Sequence, residues 1–144
     1  MNISDVRKII KLYNQMLDAV CQSNQLSKTE VAVINFLQHN PQKDTAADIV
    51  ETHLIGKSQV SVAVELLIQK GLLERTPDTT DRRRIHLSLL PAAKPVTEAI
   101  HTVRCQFEEV ILNGFSGEEC QLYEEFSNRL LQNVEAALNR GTLS

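Results

Sequence analysis

The chain has 144 residues, 42% of them hydrophobic but only 4% aromatic and none tryptophan, which suits one aliphatic core and therefore one domain or one intertwined protomer. No apolar run approaches the roughly eighteen residues of a membrane span, and the N-terminus lacks the charged-then-apolar pattern of a secretory signal, so the expected location is the cytoplasm with no membrane partner. Three cysteines, Cys21, Cys105 and Cys120, are odd in number and far apart, which excludes a disulfide framework and a CxxC metal knuckle.

From Ile3 to Val20 the apolar residues Ile3, Val6, Ile9, Ile10, Tyr13, Met16, Leu17 and Val20 recur at helical spacing. They predict a long amphipathic helix, read chiefly as a face for a partner subunit and otherwise as intrachain packing. Ser27-Lys28-Thr29-Glu30 is a capping box that opens a second helix carrying Val31, Val33, Ile34, Phe36 and Leu37, and Asn40-Pro41 ends it. Thr45-Ala46-Ala47-Asp48 offers another capped start for a short helix over 46–54, marked by Ile49, Val50 and Leu54, before Gly56. A helix over 57–70 follows at once, so the tandem pair reads as a helix-turn-helix.

Within 57–70, Val60, Ala63, Val64 and Leu67 share one face, while Ser58, Val62, Glu65 and Gln69 point the other way. The first set is expected in the core and the second toward solvent or a ligand. Lys70-Gly71 fits a helix C-terminus with a left-handed glycine cap. The period then changes from 3.6 to 2: Leu72–Thr76 reads as one strand, Pro77-Asp78-Thr79-Thr80-Asp81 as turn formers, and Arg84–Leu89 as a second strand with Ile85, Leu87 and Leu89 inward. The result is a β-hairpin with Arg82, Arg83 and Arg84 at its tip.

After the hairpin, Pro91 suits a helix start and Pro95 its first turn. That helix runs through Val96, Ile100, Val103, Phe107, Val110 and Ile111 to Gly114. Ser116-Gly117-Glu118-Glu119 caps the last helix, lined by Leu122, Tyr123, Phe126, Leu130, Leu131, Val134 and Leu138. No internal repeat interrupts the chain.

The net charge of −3 hides an uneven distribution. Residues 1–56 hold five basic and six acidic side chains, 57–84 six and four, and 85–144 four and eight. The only net-positive segment is the helix with its hairpin, so a nucleic-acid contact would sit there, with the acidic C-terminal part held away from phosphate.

Ser58-x-Val60-Ser61, then Leu67-x-x-Lys70-Gly71-Leu72-Leu73-x-Arg75, then Asp81-Arg82-Arg83 and the Leu89 strand end resemble the recognition helix and wing of the MarR (multiple-antibiotic-resistance regulator) family. The likeness extends over the whole helix-turn-helix. Two local differences stand out: Val62 occupies a position that is often basic, and Leu89-Leu90-Pro91-Ala92-Ala93 replaces the usual Leu-Thr-x-x-Gly hairpin ending. The fold expected is mainly α with a small β-hairpin wing. A single protomer over 1–144 would carry a winged helix-turn-helix at 27–90 and a helical dimerisation region at 1–22 and 91–140. The resemblance implies a homodimer that binds a pseudo-palindromic double-stranded DNA operator, as a repressor responsive to a small-molecule effector.

Lys57, Ser58, Gln59 and Ser61 are either a polar helix start or groove contacts, since helix N–H groups and hydroxyls suit phosphate and glutamine reads adenine. Val62 is either a scattered surface apolar residue or a partner for a thymine methyl. Arg82, Arg83 and Arg84 would be a solvated charge run anywhere else, but at a wing tip they reach the electronegative minor groove. The resemblance places that contact on Arg83, braced by Asp81.

His101, Cys105 and Glu108 or Glu109 have helical spacing for a zinc site, against which stands ordinary packing. Cys21 is a candidate redox switch or a structural thiol. Nothing asks for a cofactor. The alternatives are a winged helix that docks on an acidic protein and a thiol- or metal-responsive regulator. An enzyme is disfavoured because there is no Gly-rich phosphate loop, G-x-S-x-G or HExxH.

Overall fold

A computed structural model describes residues 1–53 and 55–141. Leu54, expected to close the short helix, lies outside the described residues. The chain forms two compact units, Met1–Phe107 and Glu108–Ser144.

The first unit opens with α1 (Ile3–Asn24), followed by α2 (Lys28–His39), α3 (Ala46–His53) and α4 (Lys57–Gln69). Strands β1 (Leu73–Pro77) and β2 (Ile85–Leu89) then form an antiparallel hairpin with Leu73 opposite Leu89 and Pro77 opposite Ile85. A 3-10 turn at Pro91–Ala93 leads into α5 (Lys94–Ile111), which crosses from the first unit into the second. Pro91 therefore starts a 3-10 turn, while Pro95 takes the second position of α5, where the missing N–H costs no helical bond.

Local chemistry sets these boundaries. Ser27 Oγ accepts from Glu30 N at 3.1 Å while Glu30 Oε1 accepts from Ser27 N at 3.0 Å, and Thr45 with Asp48 makes the same reciprocal pair. A further box, Asn2 with Asp5, starts α1 and was not anticipated. Gly71 ends α4 at φ +75, a left-handed conformation costly to side chains with a Cβ.

The core is aliphatic: Val31, Val33, Ile34 and Phe36 of α2 meet Ile49 of α3, Val60, Ala63, Val64 and Leu67 of α4, and Leu73 and Leu87 of the hairpin. Val20, with Tyr13, Met16 and Leu17, brings the second half of α1 onto this cluster, and Val96, Ile100 and Val103 bring α5. The compact body around the helix-turn-helix is therefore wider than 27–90. The first turns of α1 behave differently, with Ile3, Val6, Ile9 and Ile10 exposed.

Among the described residues one polar side chain is buried with the core. Glu30, 3% exposed, accepts from Lys70 Nζ at 2.8 Å, and the same ammonium donates to the Gln25 carbonyl at 3.0 Å. Burial pushes the Glu30 carboxyl up, but the hydrogen bonds from Lys70 and Ser27 outweigh it and hold it below its ordinary value.

The second unit contains the end of α5 and α6 (Gly117–Arg140). Ser116 and Glu119 form the anticipated capping box, and Gly114 turns the chain at φ +84. No residue of α6 is buried, and Leu122, Tyr123, Phe126, Leu130, Leu131, Val134 and Leu138 are all exposed. Among the described residues no helix is long and apolar enough to cross a membrane.

Candidate nucleic-acid interface

The outer face of α4 is built as its periodicity requires. Val60, Ala63, Val64 and Leu67 are buried, so Lys57, Ser58, Gln59, Ser61 and Val62 are turned outward and exposed. Gly56 caps the helix without a side-chain acceptor, leaving the first-turn N–H groups facing out. Val62 is 59% exposed and Leu66 38%, giving this surface an apolar stripe beside its hydroxyls and Gln59. Glu65, further along, holds the Arg75 guanidinium of β1 at 2.6 and 2.7 Å and ties the helix to the base of the hairpin.

The wing tip is organised by two aspartates. Asp78 Oδ2 accepts from Thr80 N at 3.1 Å, Thr80 Oγ1 at 2.9 Å and Asp81 N at 2.9 Å. Asp81 Oδ1 accepts from Arg83 N at 3.0 Å and lies 3.7 Å from Arg83 Nε. Arg84 N donates to Asp81 O at 3.0 Å, closing a turn in which Arg82 and Arg83 are the central residues.

β2 begins at Ile85, so Arg84, expected to open the strand, closes the turn instead. Asp81 reaches Arg83 through a turn that wraps its own backbone. Ile85 is also exposed, where an inward position was expected, because the hairpin extends beyond the core at that end; Leu87 alone of the three strand residues is fully buried.

Between α4, the start of α3 and the wing lies an open groove of about 640 Å³, lined in part by Thr45, Ala47, Ser61, Arg75, Arg83 and Arg84. Its lining brings Ser61 of α4 together with Arg83 and Arg84 of the wing, while Ser58, Gln59 and Val62 line a separate surface depression with Ser27 and Thr29. A smaller cavity of about 240 Å³ lies between α1 and α2, lined by Tyr13, Leu17, Cys21, Val31, Asn35 and His53.

The sequence missed the residues that hold the wing's base. Leu87 N donates to the Asp44 carbonyl at 2.8 Å, attaching the α2–α3 loop to β2. His86 sits between two carboxylates, Nδ1 at 2.8 Å from Asp44 Oδ1 and Nε2 at 2.7 Å from Asp78 Oδ1. Only the alternation of β2 marked His86 at all, since Asp44 is 42 residues away.

The two thiol candidates differ. Burial, then the Asp18 charge, push the Cys21 thiol up, which works against a reactive thiolate. Cys105 is exposed with Sγ 3.6 Å from His101 Nε2, and among the described residues no group of three His, Cys, Asp or Glu side chains is arranged to hold a metal ion.

Residues 24–84 match the family model described as MarR family. Among solved structures, the fold matches a MarR protein from Peptoclostridium difficile with a TM-score of 0.77 at 19% identity, covering 97% of this chain and 91% of that one. S. aureus MepR, in a mutant form bound to an oligodeoxyribonucleotide, matches at 0.60 and 20% identity over 93% and 99% of the two chains. Bordetella bronchiseptica BpsR, described for regulation of its DNA binding by 6-hydroxynicotinic acid, matches at 0.62 and 18% identity over 87% and 94%. At these identities the structures speak for the fold alone; the segment from the end of α1 to the wing tip is similar to the MarR family, and it is set in a winged helix-turn-helix fold that MarR proteins share.

Proposed function

We propose that this protein is a sequence-specific double-stranded DNA-binding transcriptional regulator, a repressor that occupies a pseudo-palindromic operator as a homodimer. The observation that carries this reading is the pairing of an exposed α4 face, Lys57, Ser58, Gln59, Ser61 and Val62, with three exposed arginines on a wing beside it. A helix of this kind fits the major groove while the wing reaches the adjacent minor groove. Gln59 would read adenine, Val62 a thymine methyl, and the first-turn N–H groups a phosphate. The DNA-bound form of MepR supports the ligand class.

Dimerisation is assigned to helix faces that carry apolar residues without burying them, chiefly that of α6. A small-molecule effector is assigned to the cavity between α1 and α2, with the described control of BpsR by 6-hydroxynicotinic acid as the supporting parallel. Its action would be to change the separation of the two recognition helices.

Selection of duplexes from a random pool by the purified chain, followed by gel shift on the enriched sequence, tests the reading. Enrichment of an inverted repeat is expected. Recovery of no common sequence, together with binding of the chain to an acidic protein through the arginine wing, would replace it with the protein-docking alternative.

A further inference from the structure

His86 is half-buried on β2, and each of its ring nitrogens lies within 2.8 Å of a carboxylate oxygen, Asp44 on one side and Asp78 on the other. A neutral imidazole has one N–H and one lone pair, whereas ionised carboxylates offer lone pairs only. Two such contacts at hydrogen-bond length require two N–H donors, which is the imidazolium. Each carboxylate leads somewhere different. Asp44 belongs to the α2–α3 loop, whose backbone is already bonded to Leu87. Asp78 uses its other oxygen to gather Thr80 and Asp81, and Asp81 in turn takes the Arg83 backbone N–H.

We propose that His86 in its charged form is the positioning residue of the wing, clamping the turn that presents Arg83 to the α2–α3 loop and releasing it on deprotonation, so that DNA contact by the wing weakens as pH rises. This rests on the reading that the wing meets DNA. The charges facing the ring are Asp78 from the turn and Asp44 from the loop. On β1 the paired residue is the uncharged Thr76, with Glu74 the next charge along the same side.

Hydrogen bonding to Asp78, then to Asp44, raises His86 above its ordinary 6.5, and the same bond with His86 is the first of several that hold Asp78 well below its ordinary 3.8. A raised histidine keeps its stabilising effect below the unfolded value and loses it as pH rises through the folded one. A depressed carboxylate loses its effect only on the acid side. The clamp is therefore closed below the raised His86 value and opens as pH rises through it.

The test uses the full-length chain labelled with 15N. His86 ring nitrogens and the backbone amides of Thr80, Asp81 and Arg83 are followed through an alkaline titration, alongside the affinity for a labelled duplex selected from a random pool. Expected are a doubly protonated ring below the ring's midpoint, wing amides that move with that midpoint, and a loss of affinity of about five- to tenfold across it, the size of one wing-arginine contact.

Asp44→Asn is the rescue variant. Its amide can donate to a neutral Nδ1 while Nε2–H still bonds Asp78, so the alkaline loss of affinity should disappear. His86→Gln should hold the low, alkaline affinity at every pH. A ring that titrates at its ordinary value with silent wing amides, or an unchanged pH profile in Asp44→Asn, overturns the proposal. If ring and wing amides titrate together but no duplex is selected, the clamp stands and the DNA-binding reading is what fails.

Discussion

Arg83 is 94% exposed, and among the described residues its side chain is held by one ion pair, of 3.7 Å to Asp81. A pair this exposed is weak in itself. The stronger constraint is on its backbone, which Asp81 fixes within the turn. A backbone fixed in advance reduces the entropy lost when the guanidinium enters a minor groove. Arg83→Ala is therefore expected to weaken operator binding by more than about 1 kcal/mol and to relax preference for a narrow A·T-rich groove. Arg82→Ala and Arg84→Ala should lose affinity equally on specific and random DNA and flatten the salt dependence. Competition titrations on the three variants decide the point: identical losses in affinity and preference would reduce the wing to a positive patch.

At the scale of elements, α4 is anchored at its C-terminal end by contacts remote in sequence. Lys70 at the end of α4 reaches Glu30 at the start of α2, and Glu30 simultaneously caps its own helix. Glu30→Ala removes a cap acceptor and leaves an ammonium without its carboxylate. Breaking a fully buried pair costs about 3–5 kcal/mol, but Lys70 is 36% exposed and recovers water, so a loss of about 2–3 kcal/mol is expected. Urea unfolding at neutral pH measures it. Because Glu30 is held below its ordinary 4.5, its contribution is complete above that value and is lost as pH falls through the depressed one. Stability of Glu30→Gln should accordingly depend less on pH in that acid range than that of the parent chain.

For the whole molecule, the proposed dimer rests on the apolar residues that α6 leaves exposed. Seven large apolar side chains on one helix, none of them buried, exceed the scatter normal for a monomer surface. Sedimentation should give a dimer at micromolar concentration, and Phe126→Asp with Leu130→Asp a monomer whose winged unit keeps its fold by amide spectra. A parent chain that sediments as a monomer would remove the two-fold operator model. The acidic sequence pI of about 5.8 also has a consequence at this scale. If the basic segment lies on DNA, each neutralised phosphate adds roughly −0.9 to the slope of log K against log salt, and steep weakening is expected despite the net charge. A slope shallower than about −2 would mean the wing and α4 are not on the backbone.

Much of this architecture was determined by the sequence alone, because its signals are local. The capping boxes at Ser27 and Ser116, the left-handed Gly71, the four buried positions of α4 and the switch from helical to alternating period at Leu72 all act within a few residues. The candidate site was legible for the same reason: an arginine cluster gains meaning once a hairpin tip places it beside a helix. Only the tertiary structure decided the rest. Tyr13, Met16 and Leu17 of α1 pack on their own chain, although amphipathic spacing alone cannot distinguish an intrachain neighbour from a second copy. Ile85 alternates correctly yet stays exposed, since a period of two names a side of the strand and not the reach of the core beneath it. Glu30 with Lys70, and Asp44 with His86, are 40 and 42 residues apart. Such ion pairs have no local periodicity to betray them; they exist because burial brings lone charges together and makes leaving either one unpaired costly.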